Sequence, residues 1–254
     1  MPNLSFYVHI PYCVKRCGYC DFNTYTPAEL REGGTLENVS QGFVDSLIAE
    51  VTFAARTDTT TIPTIFFGGG TPSLMPAHEL GRVIELLKQR WEFSQNIEIT
   101  IECNPDTLTL KSLTEYRAIG INRISMGMQS ANTSVLNVLD RTHNPENVAK
   151  SVENARKAGF DNVSLDLIYG TPGETLEEWE RTVRTALSYG VDHLSAYALI
   201  IEDGTKLSAK IKRGEIERPD DDLMAQMYLK VDELAESAGL PWYELSNWGR
   251  PAEH

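Results

Sequence analysis

The sequence predicts an α/β fold in which parallel strands are covered by helices. Three observations point there. Short apolar runs alternate six times with amphipathic stretches. The runs are nearly continuous, as strands buried in a parallel sheet require. Polar and glycine-rich residues gather where those runs end. Six units are fewer than the eight of a closed barrel, so pattern alone leaves barrel and open sheet both standing.

The elements follow in order. LSFYVHI (4–10) reads as the first strand. Gln41 to about Arg56 reads as a helix, because Phe43, Val44, Leu47, Ile48 and Val51 recur at helical spacing. TIFFGG (64–69) is a strand running into glycines, and Glu79 to Trp91 is helical. IEITIEC (97–103) is a strand; Leu110 to Ile119 is a helix closed by Gly120. NRISMGMQS (122–130) is the fourth strand. A short helix around Val135 to Leu139 precedes a longer one from Pro145 to Ala158, ended by Gly159. NVSLDLIYG (162–170) is the fifth strand, Leu176 to Tyr189 a helix ended by Gly190, and HLSAYALI (193–200) the sixth strand. Cys13, Gly68 to Thr71, Glu102 to Asn104, Gln129, Asp166 and Tyr169 fall at strand ends, the face on which parallel barrels build their sites.

Composition narrows the function classes. The chain has 254 residues, 41% hydrophobic and 23% charged, the balance of a globular protein with a substantial core. A net charge of −13 argues against a nucleic-acid partner, since phosphate binding needs basic patches. No apolar run reaches the length of a membrane span, and the residues after Met1 lack the pattern of a secretory signal, so cytoplasmic residence is expected.

Cys13, Cys17 and Cys20 stand within eight residues; the fourth cysteine, Cys103, lies in an apolar strand and is expected to be a buried small hydrophobe. A disulfide framework does not suit a chain of this size without a signal. Structural zinc takes four protein ligands, so a zinc site would have to borrow His9 or another group. Three thiolates on a four-iron cluster leave one iron open, and an open position is how a metal site admits a ligand.

C-x3-C-x2-C with Tyr19 just before the last cysteine resembles the radical S-adenosylmethionine (SAM) superfamily. YVHIPYC, CDF, FGGGTPS, IECNPDTL, RISMGMQS, DLIYGTPGET and YELSNW, in that order over essentially the whole chain, resemble one branch of it. That branch holds the oxygen-independent coproporphyrinogen III dehydrogenases and the HemW heme chaperones. The resemblance implies a partial (β/α)6 TIM-like barrel of parallel strands with helices outside, residues 1–206, and the start of a C-terminal α/β extension, residues 207–254. It implies a [4Fe–4S] cluster on Cys13, Cys17 and Cys20, with SAM chelating the open iron and yielding a 5′-deoxyadenosyl radical. Tyr7, Tyr19, Gly69, Gly70, Thr71, Glu102, Gln129, Arg141, Asp166 and Ala198 match SAM-contacting positions: Tyr19 and Ala198 beside adenine, the glycine turn at the methionine end, Glu102 at the amino group or ribose, Arg141 at the carboxylate, Asp166 at a ribose hydroxyl. His9 either supports the cluster or fills the core.

Two departures choose between the branch's members. The enzymes carry a further cysteine two residues past the third cluster cysteine, where this chain has Phe22, and a longer segment before the motif. Both features resemble the heme chaperones. The implied role is to bind heme, or another tetrapyrrole, and deliver it to client respiratory hemoproteins, with an electron donor for the cluster. Decarboxylation of porphyrinogen propionates on the same oxidoreductase scaffold is the alternative. The chain stops at His254, where the family's H-N-x-x-Y-W motif would begin, so residues from about Leu207 onward, with a helix from Leu223 to Ala238, are expected to be the start of the C-terminal domain of longer relatives and the rest of that domain is expected to be absent.

Overall fold

A computed structural model describes residues 4–30, 36–54 and 61–250, of which 36–39 and 41 by backbone alone. Arg56, the sequence-based end of the first helix, and His254 lie outside the described residues. Six parallel strands stand side by side in chain order: β1 (Phe6–Ile10), β2 (Thr61–Gly69), β3 (Glu92–Cys103), β4 (Arg123–Gln129), β5 (Asn162–Tyr169) and β6 (His193–Ala198). The helices are α1 (Leu36–Ala54), α2 (Ala77–Arg90), α3 (Leu110–Ala118), α4 (Thr133–Val138), α5 (Glu146–Lys157), α6 (Leu176–Ser188), α7 (Lys206–Lys212) and α8 (Asp221–Ser237). Gly120, Gly159 and Gly190 follow α3, α5 and α6 at positive φ, as the cap reading expects.

Two three-residue strands, β7 (Trp242–Glu244) and β8 (Asn247–Gly249), were not foreseen. They add antiparallel to β6 in the order β6-β8-β7, so the sheet is an open, curled half-barrel of eight strands with helices outside. Trp179 of α6 donates its Nε1–H to the carbonyl of Met227 in α8 at 2.8 Å, and Trp248 of β8 donates to Asp232 Oδ1 at 2.9 Å. Both indoles are fully buried. Truncating either to alanine should destabilise by about 3–5 kcal/mol.

The two faces of the sheet are unlike. Val8, Ile65, Phe67, Ile99, Ile101, Ile124, Met126, Val163, Leu165, Leu194 and Ala196 are buried in one core with α-helical residues such as Leu80, Leu113, Val148 and Val183. Residues between them in the strands share the other face, because parallel register pairs like with like: His9 with Gly68, Thr100 with Arg123, Glu102 with Ser125, Ser164 with His193, Asp166 with Ser195. The expectation of strands apolar on both faces is therefore corrected. A closed barrel fills its interior with branched side chains; this open one leaves a polar concave face. Among the described residues no helix is long and apolar enough to cross a membrane.

Candidate functional site

After β1 the chain makes a loop that carries the three cysteines. Tyr25 N donates to Pro11 O at 2.6 Å and Cys13 N to Tyr25 O at 3.0 Å, which closes the loop at its base. Arg16 braces it from within: its guanidinium donates to Thr24 Oγ1 at 3.2 Å, to the Thr24 carbonyl, and to Glu29 at 2.9 Å. The tip is anchored at Gly18, whose N–H donates to Leu139 O at 3.1 Å and whose carbonyl accepts from Leu207 N at 2.8 Å. All four cysteines are free thiols, and Cys103 is buried as expected.

Burial raises the Cys13 and Cys20 thiols, and the nearby charge of Cys17 raises both further. The trio is thus within mutual electrostatic reach. Among the described residues, no three His, Cys, Asp or Glu side chains converge as ligands of a single ion.

The glycine turn is packed against this loop. Gly70 N donates to Ile10 O at 2.8 Å and Thr71 N to Tyr12 O at 2.7 Å. Gly69 N donates to Glu102 Oε2 at 3.0 Å. Side chains do not fit here: a Cβ on Gly69, which has φ of +112°, would lie 2.6 Å from the His9 ring, and one on Gly70 would lie 2.6 Å from Tyr12 O. With the amide donors of Gly69, Gly70 and Thr71 turned inward, the turn can offer a ligand carbonyl oxygens, which suit an ammonium rather than an anion. The Thr71 hydroxyl does not cap the short 3₁₀ turn at Pro72–Leu74; it reaches Cys13 Sγ at 3.7 Å, joining turn and cysteine loop.

Two carboxyls face the same region. Glu102 is the penultimate residue of β3, and its pKa is pushed up to about 7, chiefly by burial, then by the charge of Asp166, against the Gly69 N–H. Asp166 lies mid-strand in β5 rather than at its end. Ser125 Oγ donates to it at 3.1 Å, and burial raises its carboxyl despite help from Ser125 and Ser195. Two desolvated acids, of which Glu102 is raised further by the charge of Asp166, are a place where a cation is wanted.

Arg141 stands on the turn after α4. Its Nη1 approaches Cys17 Sγ at 3.5 Å and its Nη2 donates to Gly127 O at 2.8 Å, while its Nε is buried without a hydrogen-bond partner. Burial pulls the guanidinium down; Tyr19 and Cys17 outweigh that and raise it. Gln129 is 8% exposed at φ of +62°, strain of the kind that collects at sites, and its Nε2 crowds Gly127 beside Arg141.

The aromatic positions differ. Tyr19 is part-buried against Val135, Leu139, Ile168, Leu199 and Leu207. Tyr7 is 59% exposed on the concave face, near Glu102 and stacked on Phe66. Its hydroxyl meets His9 Nδ1 at 3.3 Å, and His9 Nε2 meets Asn23 O at 2.9 Å. A carbonyl only accepts, so His9 Nε2 carries a proton and donates to Asn23 O. His9 therefore ties β1 to the cysteine loop. Ala198 ends β6 in register with Tyr169 and packs toward the core; strand pairing is its one described link to the site. Sequence reasoning missed Ser125, Ser195, Arg16 and Gly18. The signal for the serines was their alternation with apolar residues in ISMG and LSAY.

A family model described as Radical SAM superfamily matches residues 7–186. The heme chaperone HemW of Mycobacterium tuberculosis is 44% identical over 254 residues, covering 99% of this chain and 64% of that protein. HemW of Bacillus subtilis is 34% identical over 97% of this chain and 63% of its own length. The structure of coproporphyrinogen III oxidase from Escherichia coli, described as a radical SAM enzyme, superposes with a TM-score of 0.85 at 27% identity, over 98% of this chain and 56% of that one. The chain thus spans under two thirds of the length of these relatives. It belongs to the radical SAM superfamily and, within it, fits the branch of HemW and the coproporphyrinogen III oxidases.

Proposed function

We propose that this chain binds a [4Fe–4S] cluster through Cys13, Cys17 and Cys20, binds SAM beside it, and serves a heme carrier that hands heme to respiratory hemoproteins. The observation that carries the cofactor part is Arg141, with one arm on Cys17 and a buried Nε that lacks an acceptor. A ligand carboxylate next to the cysteine loop supplies that acceptor in a geometry arginine suits. The SAM ammonium goes to the glycine-turn carbonyls and Glu102, the ribose to Asp166, and the adenine between Tyr19 and the backbone at Ala198. Tyr7 and Gln129 line the same pocket. When bound, the cluster supplies the electron that cleaves the sulfonium of SAM.

Relatives named as heme chaperones support the heme part. We assign residues 1–206 to the core and 207–254 to a second region, and infer a cytoplasmic protein with an electron donor as partner. Anaerobic reconstitution with iron and sulfide, followed by SAM and then hemin titration, tests the reading: a brown chromophore perturbed by SAM and a Soret shift with hemin are expected. Failure of both removes it. The likeness to the coproporphyrinogen III oxidase structure favours a second reading; formation of protoporphyrinogen from coproporphyrinogen III, SAM and a reductant would select it instead.

A further inference from the structure

The turn after α4 meets the end of β4 at two consecutive carbonyls. Arg141 Nη2 donates to Gly127 O at 2.8 Å. His143, two residues on, is 4% exposed, and its ring faces the next carbonyl, that of Met128. Neither ring nitrogen completes a hydrogen bond, a costly state for a buried imidazole. The Met128 carbonyl belongs to a strained feature. It accepts from Ser130 N at 2.7 Å across Gln129, whose φ is +62°, so the strand ends in a γ-turn of the rare positive-φ kind. Pairing with β5 slips at the same point: Gly127 stands opposite Asp166 and Gln129 opposite Leu167. Such irregularities re-aim side chains beside sites. Thr182 Oγ1 holds the far side of the turn, accepting from Ala131 N at 3.2 Å. The segment carrying His143 is fixed at both ends. Arg141 N donates to Leu136 O at 2.9 Å, and Asn144 N and Asn147 Nδ2 donate to Asp106 Oδ1 at 3.4 and 2.9 Å. Burial, then the Arg141 charge, outweigh Asp106 and the Met128 carbonyl and push the His143 pKa down to about 4, so the ring is neutral near pH 7.

We propose that His143 is a positioning residue of the SAM site: its ring N–H takes the Met128 carbonyl, which keeps the Arg141 Nε–H free for the ligand carboxylate. The proposal rests on the SAM reading above and adds a residue to it. Arg141 Nε is a buried donor without a partner. The Met128 carbonyl is the acceptor next to the one Arg141 already holds. A guanidinium that took both would turn its fork onto the strand and away from a ligand. A carbonyl has two lone pairs; Ser130 N uses one, and His143 has only to close on the other, which it already faces. Attachment at two consecutive carbonyls then fixes how the turn lies on β4, and with it the direction of the guanidinium. The choice of residue type follows. A lysine would set a second buried cation against Arg141. A phenylalanine would fill the space and leave the carbonyl to Arg141. A neutral imidazole donates without adding charge.

Calorimetric titration of the reconstituted whole chain tests this, with SAM and decarboxylated SAM, the same sulfonium without its carboxylate, as the two probes. His143→Phe should bind SAM at least tenfold more weakly yet hold decarboxylated SAM within about twofold of wild type, because only the grip on the carboxylate is lost. His143→Asn and His143→Gln place an amide N–H where Nδ1 or Nε2 stands. One of the two should recover most of the SAM affinity, which names the donating nitrogen. Thermal unfolding and iron content are measured on each variant; should H143F not fold, the difference between the two amides carries the test. The assignment fails, while the SAM reading stands, if H143F binds SAM like wild type, if it weakens both probes equally, or if neither amide recovers binding. If the wild type binds neither probe, the SAM reading fails and the assignment with it.

Discussion

Arg141 Nη1 lies 3.5 Å from Cys17 Sγ, joining the turn after α4 to the cysteine loop across 124 positions of sequence. The same guanidinium holds Gly127 O and keeps Nε in reserve. Arg141→Ala removes a charge-assisted fork, so SAM affinity of the reconstituted protein should fall by about 10- to 100-fold. Arg141→Lys keeps the charge without the fork and should recover only part of that loss. Isothermal titration of SAM checks both. Equal affinity in R141A and wild type would remove Arg141 from the site.

Glu102 sets a pH dependence on the same binding. Its carboxyl is neutral below about pH 7 in the free protein. A cationic ligand prefers the ionised form, so SAM affinity should rise with pH and level off above about 7, with a slope of up to about tenfold per pH unit below that. Glu102→Gln should bind more weakly and show a flatter profile. A wild-type affinity that falls as pH rises through 7 would contradict the charge assignment.

The glycine turn is a packing device as well as a ligand surface. Gly70→Ala drives a methyl to 2.6 Å from the Tyr12 carbonyl. The backbone of the cysteine loop must give way, and about 1–3 kcal/mol of stability should go with it. Thermal unfolding gives that figure. Iron content after reconstitution should fall too, because Tyr12 leads directly into Cys13. Full iron loading by a destabilised G70A would separate the turn from the cluster.

Glu174, in the turn after β5, is 4% exposed, accepts from Thr171 N at 3.3 Å, and has Oε1 without a hydrogen-bond partner. Burial pushes its pKa up to about 8, with the charge of Glu178 adding and the Thr171 N–H opposing. The folded state therefore holds a proton that the unfolded chain releases near 4.5. The stability linked to that proton is present in full below 4.5 and drains away as pH rises to about 8, then stays level. Glu174→Gln imitates the neutral acid, so its melting temperature relative to wild type should climb across that window. A constant difference would place the ionised form in the fold.

Element order, the cysteine trio and the glycine turn were legible in the sequence because each is local. A helix shows its face within four residues, C-x3-C-x2-C is eight residues long, and FGGGTPS is a strand end with its turn. The distinction between the two sheet faces was also written there, as serines and lone charges set between branched residues, yet it reads as a continuous apolar run until the register of neighbouring strands lines the polar ones up. The β7–β8 hairpin left no such trace. Strands of three residues are too short for a period, and Trp242, Tyr243 and Leu245 are exposed. Its place on β6 is fixed by distant contacts, Trp248 with Asp232 and Tyr243 with His193. What only the tertiary structure decided is which charges meet. The pairing of Arg141 with Cys17, of Glu102 with Asp166 and of His193 with Tyr243 follows from how a curled parallel sheet brings separate strand ends to one face. Electrostatic coupling depends on distance and burial, which sequence separation does not encode.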